Sequence, residues 1–229
     1  MTKTGSGDMA TDTITTIAFD FGGVLVHRIS DEYLRHMAAA AGVEPSRFVP
    51  ALWRHRNEFD SGELDAGAYW RRVMTDAGRD VMRGNGDEAR RISLLTRLDA
   101  LGWSAIRPGM VRWVSALEAA GYRRLIISNM AVETYELTIR TLPFRSCFER
   151  VVLSGALGIN KPDRRIFETA AQETGVSPEE ILFIDDLPHN VEGARAAGFK
   201  ALQFTDPESF ARDLEVEYPY LPRTGLVCG

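Results

Sequence analysis

From residue 107 onward the sequence alternates short apolar runs with segments of helical periodicity, and this most restricts what the chain can become. The runs are YRRLIISN, RVVLS, EILFIDD and KALQF. They are bulky on both faces, as strands covered by helices on each side must be. Between them lie RPGMVRWVSALEAAGY, with Pro108 near its start and Gly121 past its end, then Val132 to Leu142 and Arg164 to Thr174, stopped by Gly175. The last helix is expected over Val191 to Ala197, ending at Gly198, and Ser177 and Glu180 have capping-box spacing ahead of EILFIDD. A fifth apolar run, TTIAFDF, precedes all of these. Strands separated by helices imply a parallel sheet with right-handed crossovers. The expected fold is α/β, with about five strands and helices on both faces.

The stretch from Ile29 to Ile106 contains no strand pattern. Ser30, Asp31 and Glu32 start a helix through DEYLRHMAAAAG that Gly42 closes, Pro45 to Phe59 reads as a second helix, and FDSGELD as a turn. Asp65 caps AGAYWRRVMTDAG, with Tyr69, Trp70, Val73 and Met74 at helical spacing, and Asp87 to Leu101 is helical again. The expected organisation is a flexible leader (1–14), a core (15–28 and 107–229) and an all-helical insertion (29–106). An insertion after the first strand lies over the C-terminal edge of the sheet, where such folds bind ligands.

Composition narrows the function. With 27 basic and 32 acidic residues the net charge is −5, which offers no footprint for nucleic acid or an anionic membrane. No apolar stretch is long enough to span a bilayer, and MTKTGSGDMATDT lacks the apolar region of a signal peptide. Cys147 and Cys228 lack CxxC spacing and read as free thiols. The expected location is the cytoplasm, as a monomer or homodimer.

The strand ends carry the chemistry. Asp20 ends the first run, Ser128 and Asn129 the second, and Asp185 and Asp186 the fourth, with Lys161 just after the third in GINKPD. Singly, each has an ordinary reading as a turn, cap or surface residue. In a parallel sheet they share one edge, so carboxylates, a hydroxyl and an ammonium converge. That set suits phosphoryl transfer. A carboxylate attacks phosphorus to give an acyl phosphate, and Mg²⁺ on oxygen ligands offsets the repulsion between anions. Ser128 and Lys161 can hold the phosphoryl oxygens. Backbone N–H groups after Asp20, at Phe21, Gly22 and Gly23, can approach closely because the glycines lack Cβ atoms.

FDFGGVL, LIISN, GINKPD with RRIF, and FIDDLPHNVEGARAAG, in this order, resemble the four motifs of the haloacid dehalogenase-like hydrolase superfamily, over Thr15 to about Asp206. The resemblance implies a Rossmann-like core with a type 1 helical cap, to which FDSGELDAGAYW is similar, and Mg²⁺-dependent phosphatase chemistry through an aspartyl phosphate. It implies Asp20 as nucleophile, the Gly22 carbonyl and Asp186 as metal ligands, and Asp185 acting on the metal through water. Ser128 and Lys161 would hold the phosphoryl group, with Asn129 and Asn190 in support.

Gly22 departs from that pattern: most phosphatases of the superfamily have a second aspartate there, which protonates the leaving oxygen. Its dehalogenases also lack it, but work without metal and typically without an acidic pair like Asp185–Asp186. A branch of sugar-phosphate phosphatases shares the glycine. The expected function is therefore a Mg²⁺-dependent phosphomonoester hydrolase for a small phosphorylated metabolite, a sugar phosphate among the candidates. The alternatives are a metal-independent 2-haloacid dehalogenase and a catalytically weak phosphate-binding regulator. Without the acid, leaving groups that need little protonation are favoured: anomeric sugar 1-phosphates, acyl phosphates or aryl phosphates. His27, His55 and Glu58 are candidate replacement acids, although each reads first as a surface residue. The run Trp53-Arg54-His55-Arg56 reads as a solvated helix face, and Trp53 and Trp70 as cap packing.

Overall fold

The computed structural model describes residues 13–79 and 87–226. Most of the polar leader and Cys228 lie outside them. Five strands, β1 (Thr16–Phe19), β2 (Arg123–Ser128), β3 (Arg150–Leu153), β4 (Ile181–Asp185) and β5 (Lys200–Gln203), form one sheet in the order β3-β2-β1-β4-β5. All neighbours pair in parallel. The chain moves outward from β1 through β2 to β3, then crosses to the other side for β4 and β5. The strand order thus reverses between β1 and β4, the crevice where open α/β sheets take their ligands.

Side chains alternate across the sheet with period two. Ile17, Phe19, Ile126 and Ile184 pack with Met110, Trp113 and Leu117 of α6 (Pro108–Ala119) and with Phe210 and Leu214 of α11 (Pro207–Glu217). Ala18, Leu125, Ile127 and Phe183 face the other way, onto Ile166 and Phe167 of α9 (Arg164–Thr174) and Val191 and Ala194 of α10 (Pro188–Ala196). Ile14, assigned to the leader by sequence, is buried in the first of these layers. The helices α1 (Asp31–Ala41), α2 (Pro45–Arg54), α3 (Arg56–Asp60), α4 (Ala66–Asp76) and α5 (Glu88–Gly102) follow β1 and enclose a second core, with Phe59 stacked on Tyr69 at 4.4 Å. Ser30 accepts from the Tyr33 N–H and Asp65 from the Ala68 N–H, and Gly42 ends α1 at φ 71°.

Several boundaries differ from expectation. The helix expected from Pro45 to Phe59 breaks at His55, whose ring is tethered between Glu58 and Asp76. The segment from Val132 is α-helical only to Leu137 (α7): Thr138 leaves the helical region at φ −119° and ψ −91°, a 3-10 turn covers Ile139–Thr141, and Leu142 is extended before Pro143. α10 begins at Pro188, whose ring suits a first helical position, rather than at Val191. It is not the last helix: α11 follows, capped by Asp206. A short helix, α8 (Ser154–Leu157), also went unanticipated. Pro178–Glu180 forms a 3-10 turn without a Ser177 side-chain cap, since the chain enters β4 at once.

Candidate active site

Because β1 lies between β2 and β4, their C-terminal ends are adjacent and bring Asp20, Ser128 and Asp185 together. The Asp20 N–H donates to the Ile184 carbonyl at 2.8 Å, which carries β-pairing up to the aspartate. Lys161 enters from the loop after α8. Its Nζ lies 2.9 Å from Asp20 Oδ1 and 2.7 Å from Asp185 Oδ2, and donates to the Ile127 carbonyl at 2.8 Å. Asn129 holds that loop: its Oδ1 accepts from the Lys161 N–H (2.7 Å) and its Nδ2 donates to the Lys161 carbonyl (3.0 Å). Asp185 accepts from Asn190 Nδ2 at 3.1 Å and from the Leu187 N–H at 2.8 Å. Ser128, Lys161, Asp185 and Asn190 are all buried.

Oxygen atoms of Asp20, Asp185 and Asp186 lie within 4.8 Å of one another. Burial pushes the Asp20 carboxyl up to about 7; Lys161 opposes the rise, while Asp185 and Asp186 add to it. Burial also raises Asp186, against Arg28. For Lys161 burial disfavours the charge, but Asp185 and Asp20 outweigh it and the ammonium is raised. The carboxylates therefore exceed the positive charge the chain places among them. The site gains from a further cation, and its donors are the hard oxygens that suit Mg²⁺.

The two glycines after Asp20 make room for different neighbours. Gly23 has φ +86°, and a Cβ there would stand 2.0 Å from Asp186 Oδ2. A Cβ on Gly22 would stand 2.7 Å from Cζ3 of Trp103. Phe21 is buried in the core, so it reaches the site through its backbone alone.

A cavity of about 650 Å³ opens over these groups. Asp20, Gly22, Ser128, Asn129, Lys161, Asp186 and Asn190 line its floor, and Trp53, Arg56, Asn57, Asp60 and Trp103 line the cap side. The volume is that of a small-metabolite site. Cap and core are joined where Ser154 Oγ donates to the Asp60 carbonyl (2.6 Å) and Asn160 Nδ2 to the Asn57 carbonyl (2.8 Å).

Some expectations for the cap are overturned. Arg56 is not on a solvated face: it is buried, with Nε 2.8 Å from Asp60 Oδ1 and Nη1 2.7 Å from Asp99 Oδ1. Trp70 is core packing as expected, but Trp53 is 44% exposed and lines the cavity. His27 is exposed, and neither it, His55 nor Glu58 lines the cavity. Sequence reasoning did not single out Arg28, Trp103 or His189, which line it together with Asp60 of the FDSGELD turn. Among the described residues, no helix is long and apolar enough to cross a membrane.

Residues 14–198 match the sequence model of a family described as haloacid dehalogenase-like hydrolase. The chain is 26% identical over 197 residues to (S)-2-haloacid dehalogenase 1 of Pseudomonas sp. (strain CBS-3), covering 84% of this chain and 85% of that protein. It is 34% identical over 93 residues to glyceraldehyde 3-phosphate phosphatase of Methanopyrus kandleri, a match spanning 40% of each chain. The match to acyl-CoA dehydrogenase family member 10 of Mus musculus, 32% identical, covers 47% of this chain and only 10% of that protein. In fold the chain is similar to a HAD family enzyme of Bacteroides thetaiotaomicron, a mutant in complex with magnesium and inorganic phosphate. The TM-score is 0.64 at 17% identity, over 84% of this chain and 94% of that one.

Proposed function

Since this chain belongs to the haloacid dehalogenase-like hydrolases, we propose that it is a Mg²⁺-dependent phosphomonoester hydrolase acting on a small phosphorylated metabolite, with sugar phosphates in range. The observation that carries this reading is the convergence of Asp20, Asp185 and Asp186 around Lys161. The room Gly23 leaves for Asp186 fits the same purpose. Asp20, the Gly22 carbonyl and Asp186 would hold the ion, with Asp185 behind them. When bound, Mg²⁺ supplies Lewis-acid stabilisation of phosphoryl charge.

The remaining chemistry belongs to the chain. A carboxylate oxygen of Asp20 attacks phosphorus, and the bond from phosphorus to the ester oxygen breaks. The leaving oxygen departs with the electron pair and takes its proton from water. Water then attacks the aspartyl phosphate, releasing phosphate and restoring Asp20. Lys161 and Ser128 hold the phosphoryl oxygens as charge shifts, while Asn129 fixes the Lys161 loop and Asn190 fixes Asp185.

The dehalogenase reading has one specific support, the relative that matches over 84% of this chain. A single screen separates the two: phosphorylated metabolites and 4-nitrophenyl phosphate, with and without Mg²⁺, beside 2-chloropropionate. The expected result is Mg²⁺-dependent phosphate release that falls on the order of 10³-fold or more in Asp20→Asn. Hydrolysis that ignores metal or Asp20 would overturn the mechanism, and metal-independent chloride release would assign the dehalogenase activity instead.

A further inference from the structure

Gly22 is not in the left-handed region of backbone space, so conformation does not demand a glycine there. Space does. A Cβ at residue 22 would meet Cζ3, Cε3 and Cη2 of Trp103 at 2.7, 3.1 and 3.5 Å. These carbons belong to the six-membered ring of the indole, and the N–H lies on its far side. Trp103 caps the end of α5, where the chain returns from cap to core, and packs against the hydrophobic clusters of both. Arg56 stands over its ring at 5.6 Å, itself held by Asp60 and Asp99. The ring is thus in close approach to Gly22 and within reach of a buried cation.

From this we infer that Trp103 is a specificity-determining residue: its indole takes the space a side chain at position 22 would use, and sets a carbon wall two residues from Asp20 in place of a proton donor. The inference rests on the phosphatase reading and deepens it. Of the other cavity-lining side chains that carry N–H donors, Arg28 is paired with Asp186 and Arg56 with Asp60 and Asp99, and Lys161 lies between Asp20 and Asp185; His189 also lines the wall. At position 22 the ester oxygen thus meets carbon where a side-chain acid would otherwise stand. The site selects phosphoesters whose leaving groups are stable as anions, with an aryl or anomeric oxygen, over simple alkyl phosphates.

Two measurements test this. The first needs no substrate: thermal unfolding of Gly22→Ala, alone and with Trp103→Ala. Gly22→Ala is expected to lower Tm in the unaltered chain and to have little effect once Trp103 is truncated. Equal loss in both backgrounds would overturn the claim that Trp103 owns the space. The second compares kcat/KM for 4-nitrophenyl phosphate and glycerol 3-phosphate. Adding Gly22→Asp to Trp103→Ala is expected to raise alkyl phosphate turnover on the order of 10²-fold over Trp103→Ala alone, with a smaller gain on the aryl ester. Gly22→Asp alone should be impaired on both. No gain in the double variant, or the same gain from Gly22→Asp alone, would overturn the inference. Absence of Asp20-dependent turnover in the unaltered enzyme would remove the phosphatase reading itself and the selectivity that rests on it, whereas the thermal cycle still reads where Trp103 sits.

Discussion

Arg28 directs two donors at one oxygen of Asp186, Nη2 at 2.6 Å and Nε at 2.7 Å. The arginine is mostly exposed and the carboxylate mostly buried, so the pair itself adds no more than about 1 kcal/mol to stability. Its consequence lies at the site. Asp186 belongs to the acidic cluster, and a guanidinium on its oxygen competes with any other cation. Arg28→Gln is expected to tighten Mg²⁺ binding about fivefold, as removal of a ~1 kcal/mol competitor requires, with Tm nearly unchanged. Titration calorimetry with Mg²⁺ checks it; weaker binding in the variant would mean that Arg28 orients Asp186 for the ion instead.

Lys161 is the buried counter-charge for both Asp20 and Asp185. Removing one member of a buried ion cluster leaves the others uncompensated, at about 3–5 kcal/mol. Lys161→Met should therefore lower the denaturation midpoint strongly as well as end turnover. Asp20→Asn should do the opposite for stability, because it deletes a carboxylate that burial disfavours. Denaturant unfolding of both variants at neutral pH separates these effects, and a Lys161→Met midpoint equal to that of the unaltered chain would show that solvent reaches the cluster.

Gly23 combines a left-handed backbone with a tight approach, since φ is +86° and Asp186 Oδ2 fills the place of a Cβ. An alanine there meets a backbone penalty of about 1–2 kcal/mol and must also displace Asp186. Gly23→Ala should lose both Tm and Mg²⁺ affinity. A variant that lost Tm but bound Mg²⁺ as before would place Asp186 outside the metal site.

The strand ends were legible in the sequence because position along a buried parallel strand is nearly one-dimensional information. Once TTIAFDF, YRRLIISN and EILFIDD are strands, Asp20, Ser128 and Asp185 must share an edge. The cap was less legible because its contacts join residues far apart in the chain. Arg56 looks like part of a charged surface run until Asp99 of α5 is brought to it, and Trp103 looks like a helix-end aromatic until α5 returns it to Gly22. His27, His55 and Glu58, weighed as acids but favoured as surface residues, do not line the cavity, since proximity to Asp20 or to FDSGELD in sequence does not set direction. α11 is a different kind of miss, since Asp206, Pro207 and Ser209 form a readable helix start, with the Ser209 N–H donating to Asp206 at 2.9 Å.

Asp60 gives the clearest pH signature in the cap. Burial pushes its carboxyl up from 3.8 to about 6, although Arg56 pulls it down; the Asp99 charge adds to the rise and the Ala131 N–H opposes it. The folded chain therefore holds this proton more tightly than the unfolded chain. The resulting stabilisation is complete below about pH 4 and is lost as pH climbs through about 6, beyond which the difference is constant. Asp60→Asn keeps an acceptor for Arg56 Nε but cannot ionise. Groups far from Asp60 titrate alike in both proteins and cancel in the comparison. The unaltered chain should lose stability relative to Asp60→Asn between pH 4 and 6, by no more than ~3 kcal/mol, and run parallel to it above. Chemical denaturation of both proteins at intervals of pH reads this directly. A constant offset across the range, or a gain by the unaltered chain, would mean that Arg56 keeps Asp60 ionised throughout.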